Sequence, residues 1–222
     1  MDIIELWKKL DLVKIEEQKR MFLAMANTAH KEFMQTFKDQ DNCELNFIVS
    51  LINRVLEIYE SSIEIAKRGS LIVLGSLARI QIENIYCWIN YRYSENKEKF
   101  VKDFTSGMKM KLSKKIPVCE KCTSELKADF KEFCKYIHVS EKMLKNSLKK
   151  SQNKNAFSIG YDKNYNIADI VIVFKKVEEI TIKAISRICA AAFADANMQR
   201  EEETRTNNNE LSEIFGRTVS KI

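Results

Sequence analysis

Cys119, Cys122, Cys134 and His138 are spaced as two pairs, Cys-Glu-Lys-Cys and Cys-Lys-Tyr-Ile-His, with eleven residues between them. A CxxC turn aims two thiolates at one point, and residues four apart on a helix offer two more donors from one face. The outline is that of a four-ligand zinc site. Zinc held there would contribute to folding, not to a reaction. Against it, the surrounding sequence lacks the hairpin that small zinc fingers use, and a chain of this size can build a core without metal. A redox role for the CxxC is weaker still, because no βαβ pattern surrounds it.

The same stretch offers a metal-free chemistry centred on His138. Advancing about 100° per residue from Leu126, the residues Phe130, Phe133 and Ile137 form an apolar stripe, with Cys134 and His138 on its flank. Lys127, Lys131, Lys135, Lys142, Lys145 and Lys149 gather on that side if one helix runs on through Ser140, while Glu125, Asp129 and Glu132 fall on the other. Neighbouring cations favour the neutral imidazole, which can serve as a base, and lysines can hold phosphates. The plainer reading is a boundary histidine among lysines whose stems cover apolar surface. His30 has no such company and reads as structural. Arg79 and Glu83 lie four apart in the most apolar stretch of the chain, where charges must pair or face a cleft. They could complete a catalytic cleft, although a structural pair is the plainer reading.

The elements that must position these groups are helices. The 222 residues include five glycines and one proline. That excludes Gly-rich phosphate loops, flexible linkers and turn-dense β-sandwiches. A composition of 45% hydrophobic and 31% charged residues is that of a globular chain, not a disordered one. The expected fold is all-α, a single up-and-down helical bundle of about five to seven helices over residues 1–195, with a polar C-terminal tail over 196–222. Ile3 to Phe37 carries apolar residues at helical spacing (Ile3, Leu6, Leu10, Val13, Met21, Met25, Phe33, Phe37), and Leu45 to Lys67 forms a second long helix. Arg68-Gly69-Ser70 stops it and starts the next, Leu71 to Tyr93, which is apolar nearly all round and should be central. A short helix over Glu95 to Thr105 precedes a basic connection, Ser106 to Lys121. Ser124 to about Lys150 then reads as one helix, or two that break near Ser140, followed by a loop to Asn166. Asn166 caps a last core helix, Ala168 to Ala194, and Leu211, Ile214 and Phe215 beyond it could form a docking turn.

The net charge is +6, and it is concentrated. Between Glu95 and Lys154 lie sixteen lysines and eight acids, while the remaining chain holds 21 basic and 23 acidic residues. Such a segment suits an anionic partner, or it is simply a solvated lysine-rich face. The acidic, amphipathic start from Met1 to Trp7 is no signal peptide, so the six cysteines are expected to be reduced and the protein cytoplasmic. No membrane span is expected, because Arg79, Gln81, Glu83 and Asn84 interrupt the most apolar stretch.

Two segments resemble a known family. Arg68-Gly69-Ser70-Leu71-Ile72-Val73-Leu74-Gly75-Ser76-Leu77-Ala78-Arg79, running on to Ile85-Tyr86-Cys87-Trp88, is similar to the Arg-led central helix of HEPN domains. Phe130-Lys131-Glu132-Phe133-Cys134-Lys135-Tyr136-Ile137-His138 is similar to their late helix ending in histidine. The chain thus resembles bacterial HEPN-like proteins associated with abortive infection, over roughly residues 40 to 195. The resemblance implies an all-α bundle, often a homodimer, in which an arginine and a histidine separated by four to six intervening residues cleave RNA without metal. His138 matches that histidine. The arginine is missing, and Lys131 is the nearest stand-in; it can neutralise a phosphate but lacks the planar fork that grips one. Two functions follow from the likeness. One is a non-catalytic or weakly catalytic module of a defence or toxin–antitoxin system, binding RNA or a protein such as an antitoxin through Lys127, Lys135, Lys142, Lys145 and Lys149. The other is a metal-independent endoribonuclease, with His138 as general acid or base, Lys131 on the phosphate, and Arg79 and Glu83 completing the cleft. The zinc-stabilised interaction domain is a third reading.

Overall fold

A computed structural model gives the architecture and describes residues 3–37, 42–106, 120–134, 148–150, 157–159 and 166–219. Among these the helices are α1 (Ile3–Leu10), α2 (Leu12–Thr36), α3 (Cys43–Lys67), α4 (Leu71–Arg92), α5 (Lys97–Thr105), α6 (Glu120–Cys134) and α7 (Ile167–Val219). The fold is an all-α bundle. A two-stranded antiparallel ribbon, β1 (Leu148–Lys150) with β2 (Phe157–Ile159), accompanies it.

The first expected helix is two. Asp11 takes a left-handed conformation (φ 49°), and its carboxylate accepts the Lys14 N–H at 3.3 Å, capping α2. That one residue shifts the helical phase. Leu6 and Leu10 are buried on α1, but on α2 the buried set is Ile15, Phe22, Ala26, Ala29 and Phe33. Val13 and Met21, which an unbroken helix would turn inward, are 72% and 46% exposed. The next junction follows the sequence closely. Gly69 at φ 73° lets its own N–H bond the Ala66 carbonyl and the Ser70 N–H bond that of Ile65, closing α3. The Trp7 indole N–H donates to the Lys67 carbonyl at 3.1 Å, so α1 also satisfies the end of α3.

Cross-helix contacts set the directions. Phe22 meets Tyr59 edge-on and Lys19 pairs with Glu60, so α2 and α3 run antiparallel. Gln81 bonds the Val55 carbonyl while Tyr91 packs on Phe47, so α3 and α4 are antiparallel too. Helix α7 runs parallel to both α2 and α4, through Cys189 with Met25, Arg200 with Glu32, Gln81 with Thr181 and Arg92 with Asp195. Helix α4, expected at the centre, shares that place with α7. Phe100 and Phe104 of α5 close one end against Phe47.

Two expected boundaries move. The helix expected to reach about Lys150 does not: Leu148–Lys150 is a strand, registered Leu148 to Ile159 and Lys150 to Phe157, inside what was expected to be helix and loop. Backbone pairing with a segment several residues on is invisible to a helical-period reading. Helix α7 continues past Ala194 to Val219. Ala196 is still buried and Arg200 pairs with Glu32 at 3.1 Å, because α2 is long enough to offer contacts beyond the apolar run. No helix among the described residues is long and apolar enough to cross a membrane.

Candidate functional site

Helix α6 carries Lys127, Lys131 and Cys134, the largest described part of the stretch on which the sequence reading converged. Leu126 and Phe133 are buried against the bundle, with Phe130 half-buried between them in the 4–3 spacing of a helix face. The Phe130 ring stands edge-on to Tyr86 of α4 at 5.9 Å, and the Arg79 guanidinium lies 5.0 Å from its centroid. Arg79 and Glu83 form the expected i,i+4 pair at 3.1 Å. Only 20% of the Arg79 side chain is exposed, and its Nε is buried with no acceptor among the described residues.

On the other side of the stripe, Asp129 accepts from Lys176 of α7 at 3.2 Å, and Lys176 also reaches Glu179 at 3.2 Å. Burial works against the charged Lys176, but hydrogen bonds to Asp129 and Glu179 outweigh it and hold the ammonium above its ordinary pKa. Burial, helped by the Asp129 charge, pushes the Tyr86 phenol up. Sequence alone gave no signal for Lys176. It lies some fifty residues from Asp129 and belongs to a different apolar helix.

The outer surface of α6 is different. Lys127 and Lys131 are exposed, and neither forms an ion pair with a described residue. Glu132 is exposed on the opposite flank, and Cys134 is a half-buried free thiol. Lys131 therefore faces solvent, whereas Arg79 and Glu83 hold each other against the Phe130 ring. His138, Lys135, Lys142, Lys145 and Cys119 lie outside the described residues. Lys149 is in β1, so it does not continue the α6 face as one long helix would have it.

The four-residue zinc set does not survive. Cys122 and Cys134 belong to one helix, Glu120–Cys134. Twelve residues at about 1.5 Å rise separate them by about 18 Å along its axis. Two thiolates on one zinc, each with a bond of about 2.3 Å, must lie within about 4 Å of each other. The sequence reading took the CxxC as a turn, but its second cysteine is in the first turn of α6. Among the described residues no group of three or more potential ligands gathers elsewhere.

No protein-family model matches this chain, and neither a curated protein nor a solved structure matches it. The remaining reactive side chains are quiet ones. Burial pushes the Cys87 thiol up to about 12 and the Cys189 thiol up as well, so both act as small hydrophobes within the core. His30 is exposed on α2.

Proposed function

We propose that this chain is a HEPN-like helical module that binds RNA, non-catalytically or with weak activity, through the lysine-bearing face of α6. The observation that carries the reading is the sorting of charge on that helix. Asp129 is drawn inward to Lys176, while Lys127 and Lys131 stand outward without a described partner. An outward face of uncompensated lysines suits a phosphate backbone. Binding is favoured over cutting because a catalytic group must reach the scissile phosphate. Arg79 and Glu83 neutralise each other against Phe130 instead of sharing an open surface with Lys131.

The test is fluorescence anisotropy with a labelled single-stranded RNA across a salt series. Wild type should lose affinity steeply with salt. The Lys127→Ala/Lys131→Ala double variant should bind weakly, with a slope of log affinity on log salt shallower by about 1.4, at about 0.7 per lost phosphate contact. An unchanged slope would sink the assignment of this face.

The endoribonuclease remains a second reading, supported by the Arg79 guanidinium lying 5.0 Å from the ring of Phe130, a residue of the segment whose sequence resembles the histidine-bearing helix. Cleavage of labelled total RNA that survives EDTA and disappears in His138→Ala would establish it and displace the binding module.

A further inference from the structure

In a chain with 31% charged residues, one helix face carries none. Between Ile180 and Gln199 every exposed position of α7 is uncharged, while Lys183, Arg187 and Asp195 are half-buried. Ile182 and Phe193 are 37% and 44% exposed, with Ser186, Ala190 and Asn197 exposed beside them. At about 100° per residue these five fall within an arc of about 80°. A contiguous uncharged stripe with exposed apolar side chains marks a contact surface.

The stripe does not stop with the bundle. Helix α2 ends at Thr36, one turn beyond the Glu32 that meets Arg200, and α4 ends at Arg92, level with Asp195. Helix α7 runs on to Val219, about 22 Å past the end of α2. The helical period places Thr204, Asn208, Leu211 and Phe215 in the same arc as Ile182 and Phe193. Because α7 is one continuous helix, its outer length cannot fold back over the stripe it extends. The bundle part alone, about 22 Å long and 10 Å wide, is too small for a specific interface. With the outer length the face reaches about 50 Å and about 500 Å² on each side, or about 1,000 Å² in all, the size at which specific contacts begin.

We propose that this face binds α7 of a second copy, antiparallel, about a two-fold axis near residue 202. In that register Phe193 of one copy meets Leu211 of the other, Phe215 lies over the small Ala190, and Asn197 meets Asn208. Glu201 and Arg205 are four apart on one flank, so each Glu201 comes against Arg205 of the other copy, and the two chains match in charge. A two-fold axis makes every pairing twice and closes the assembly on itself. The stripe lies outside both segments that carry the family likeness, and the pairing does not rest on the RNA reading.

Sedimentation velocity on the full chain tests it. Wild type should sediment as a dimer at micromolar concentration. Phe193→Lys and Leu211→Glu should each raise the dissociation constant about tenfold or more; if either fails to fold, Ala190→Glu on the same stripe takes its place. Mixing the first two is the decisive step. In the antiparallel register the introduced lysine of one copy faces the introduced glutamate of the other, while the unaltered Leu211 and Phe193 still meet across the axis. The mixture should therefore dimerise at a concentration where neither variant does alone. A monomeric wild type, a dimer indifferent to the substitutions, or a mixture that stays dissociated would each overturn the pairing. Failure of the chain to bind RNA would remove the proposed function and leave the sedimentation unchanged.

Discussion

Two polar contacts in this bundle contrast in how completely they are satisfied. At the centre, the Gln81 amide donates both its protons, to the Val55 carbonyl and to Thr181 Oγ1, each at 2.9 Å. Its oxygen accepts from Asn84 at 3.0 Å, and Thr181 in turn donates to the Val177 carbonyl. Under α6, Arg79 reaches Glu83 with one nitrogen and leaves Nε without a described acceptor. The completed network fixes how α3, α4 and α7 lie against one another, whereas the Arg79–Glu83 pair lies within α4 and joins no two helices. The difference separates a contact that positions three helices from one that leaves a buried donor unmet.

Breaking the central network should have the largest effect. Gln81→Ala leaves the Val55 carbonyl, Asn84 and Thr181 short of partners and opens a cavity, for a loss of about 3 kcal/mol in urea unfolding. A loss below about 1 kcal/mol would show that the network is relaxed or solvated, and the contrast with α6 would fail. Next comes the clasp between α4 and α7, where both guanidinium ends of Arg92 meet the Asp195 carboxylate at 2.5 and 2.6 Å in a half-buried setting. Asp195→Ala should cost about 2 kcal/mol, because it strands a partly desolvated cation. Phe130→Leu should cost less than about 1 kcal/mol in the same assay, because the ring it removes is only half-buried. Equal costs at Gln81 and Phe130 would show that the α4–α6 seam is as costly to disturb as the central network.

The readable parts of this fold are those in which local chemistry decides. Gly69 announces the α3–α4 turn, Asn166 caps α7, and the apolar run from Leu71 marks a buried helix; each rule acts within a few residues. The unreadable parts depend on contacts at long range or on a single unusual torsion. Asp11 is an ordinary turn residue in sequence, and nothing in its neighbours says that it resets the phase of α2. Leu148–Lys150 becomes a strand through Phe157–Ile159, and α7 outlasts its apolar run because Glu32 is there to meet Arg200. For the candidate site, the i,i+4 pairing of Arg79 with Glu83 and the stripe through Phe130 were legible. The pairing of Asp129 with Lys176 was not, since it joins two helices whose order in space the sequence does not state. The CxxC spacing misled because ligand spacing carries its meaning only when the backbone between the ligands is known.

The smallest expected effect tests whether the well-satisfied side of the contrast has a conditional element of its own. Glu178 of α7 accepts the Tyr59 hydroxyl at 3.3 Å where α3 meets α7, in a half-buried setting. Burial, aided by Glu179, holds its carboxyl above the ordinary value, against the opposing pull of the Tyr59 hydrogen bond, Lys14 and Lys175. A carboxyl whose folded pKa is raised binds its proton more tightly in the folded state. Its stabilising contribution is therefore complete below the unfolded value of about 4.3 and is lost as pH rises through the folded value. Glu178→Gln keeps an acceptor for Tyr59 and removes the titration. Melting temperatures of the two proteins should coincide near the unfolded value, and the variant should become the more stable one as pH rises toward neutrality. If the two curves stay parallel across that range, Glu178 titrates alike in both states, and the central region is as insensitive to pH as its amide network is.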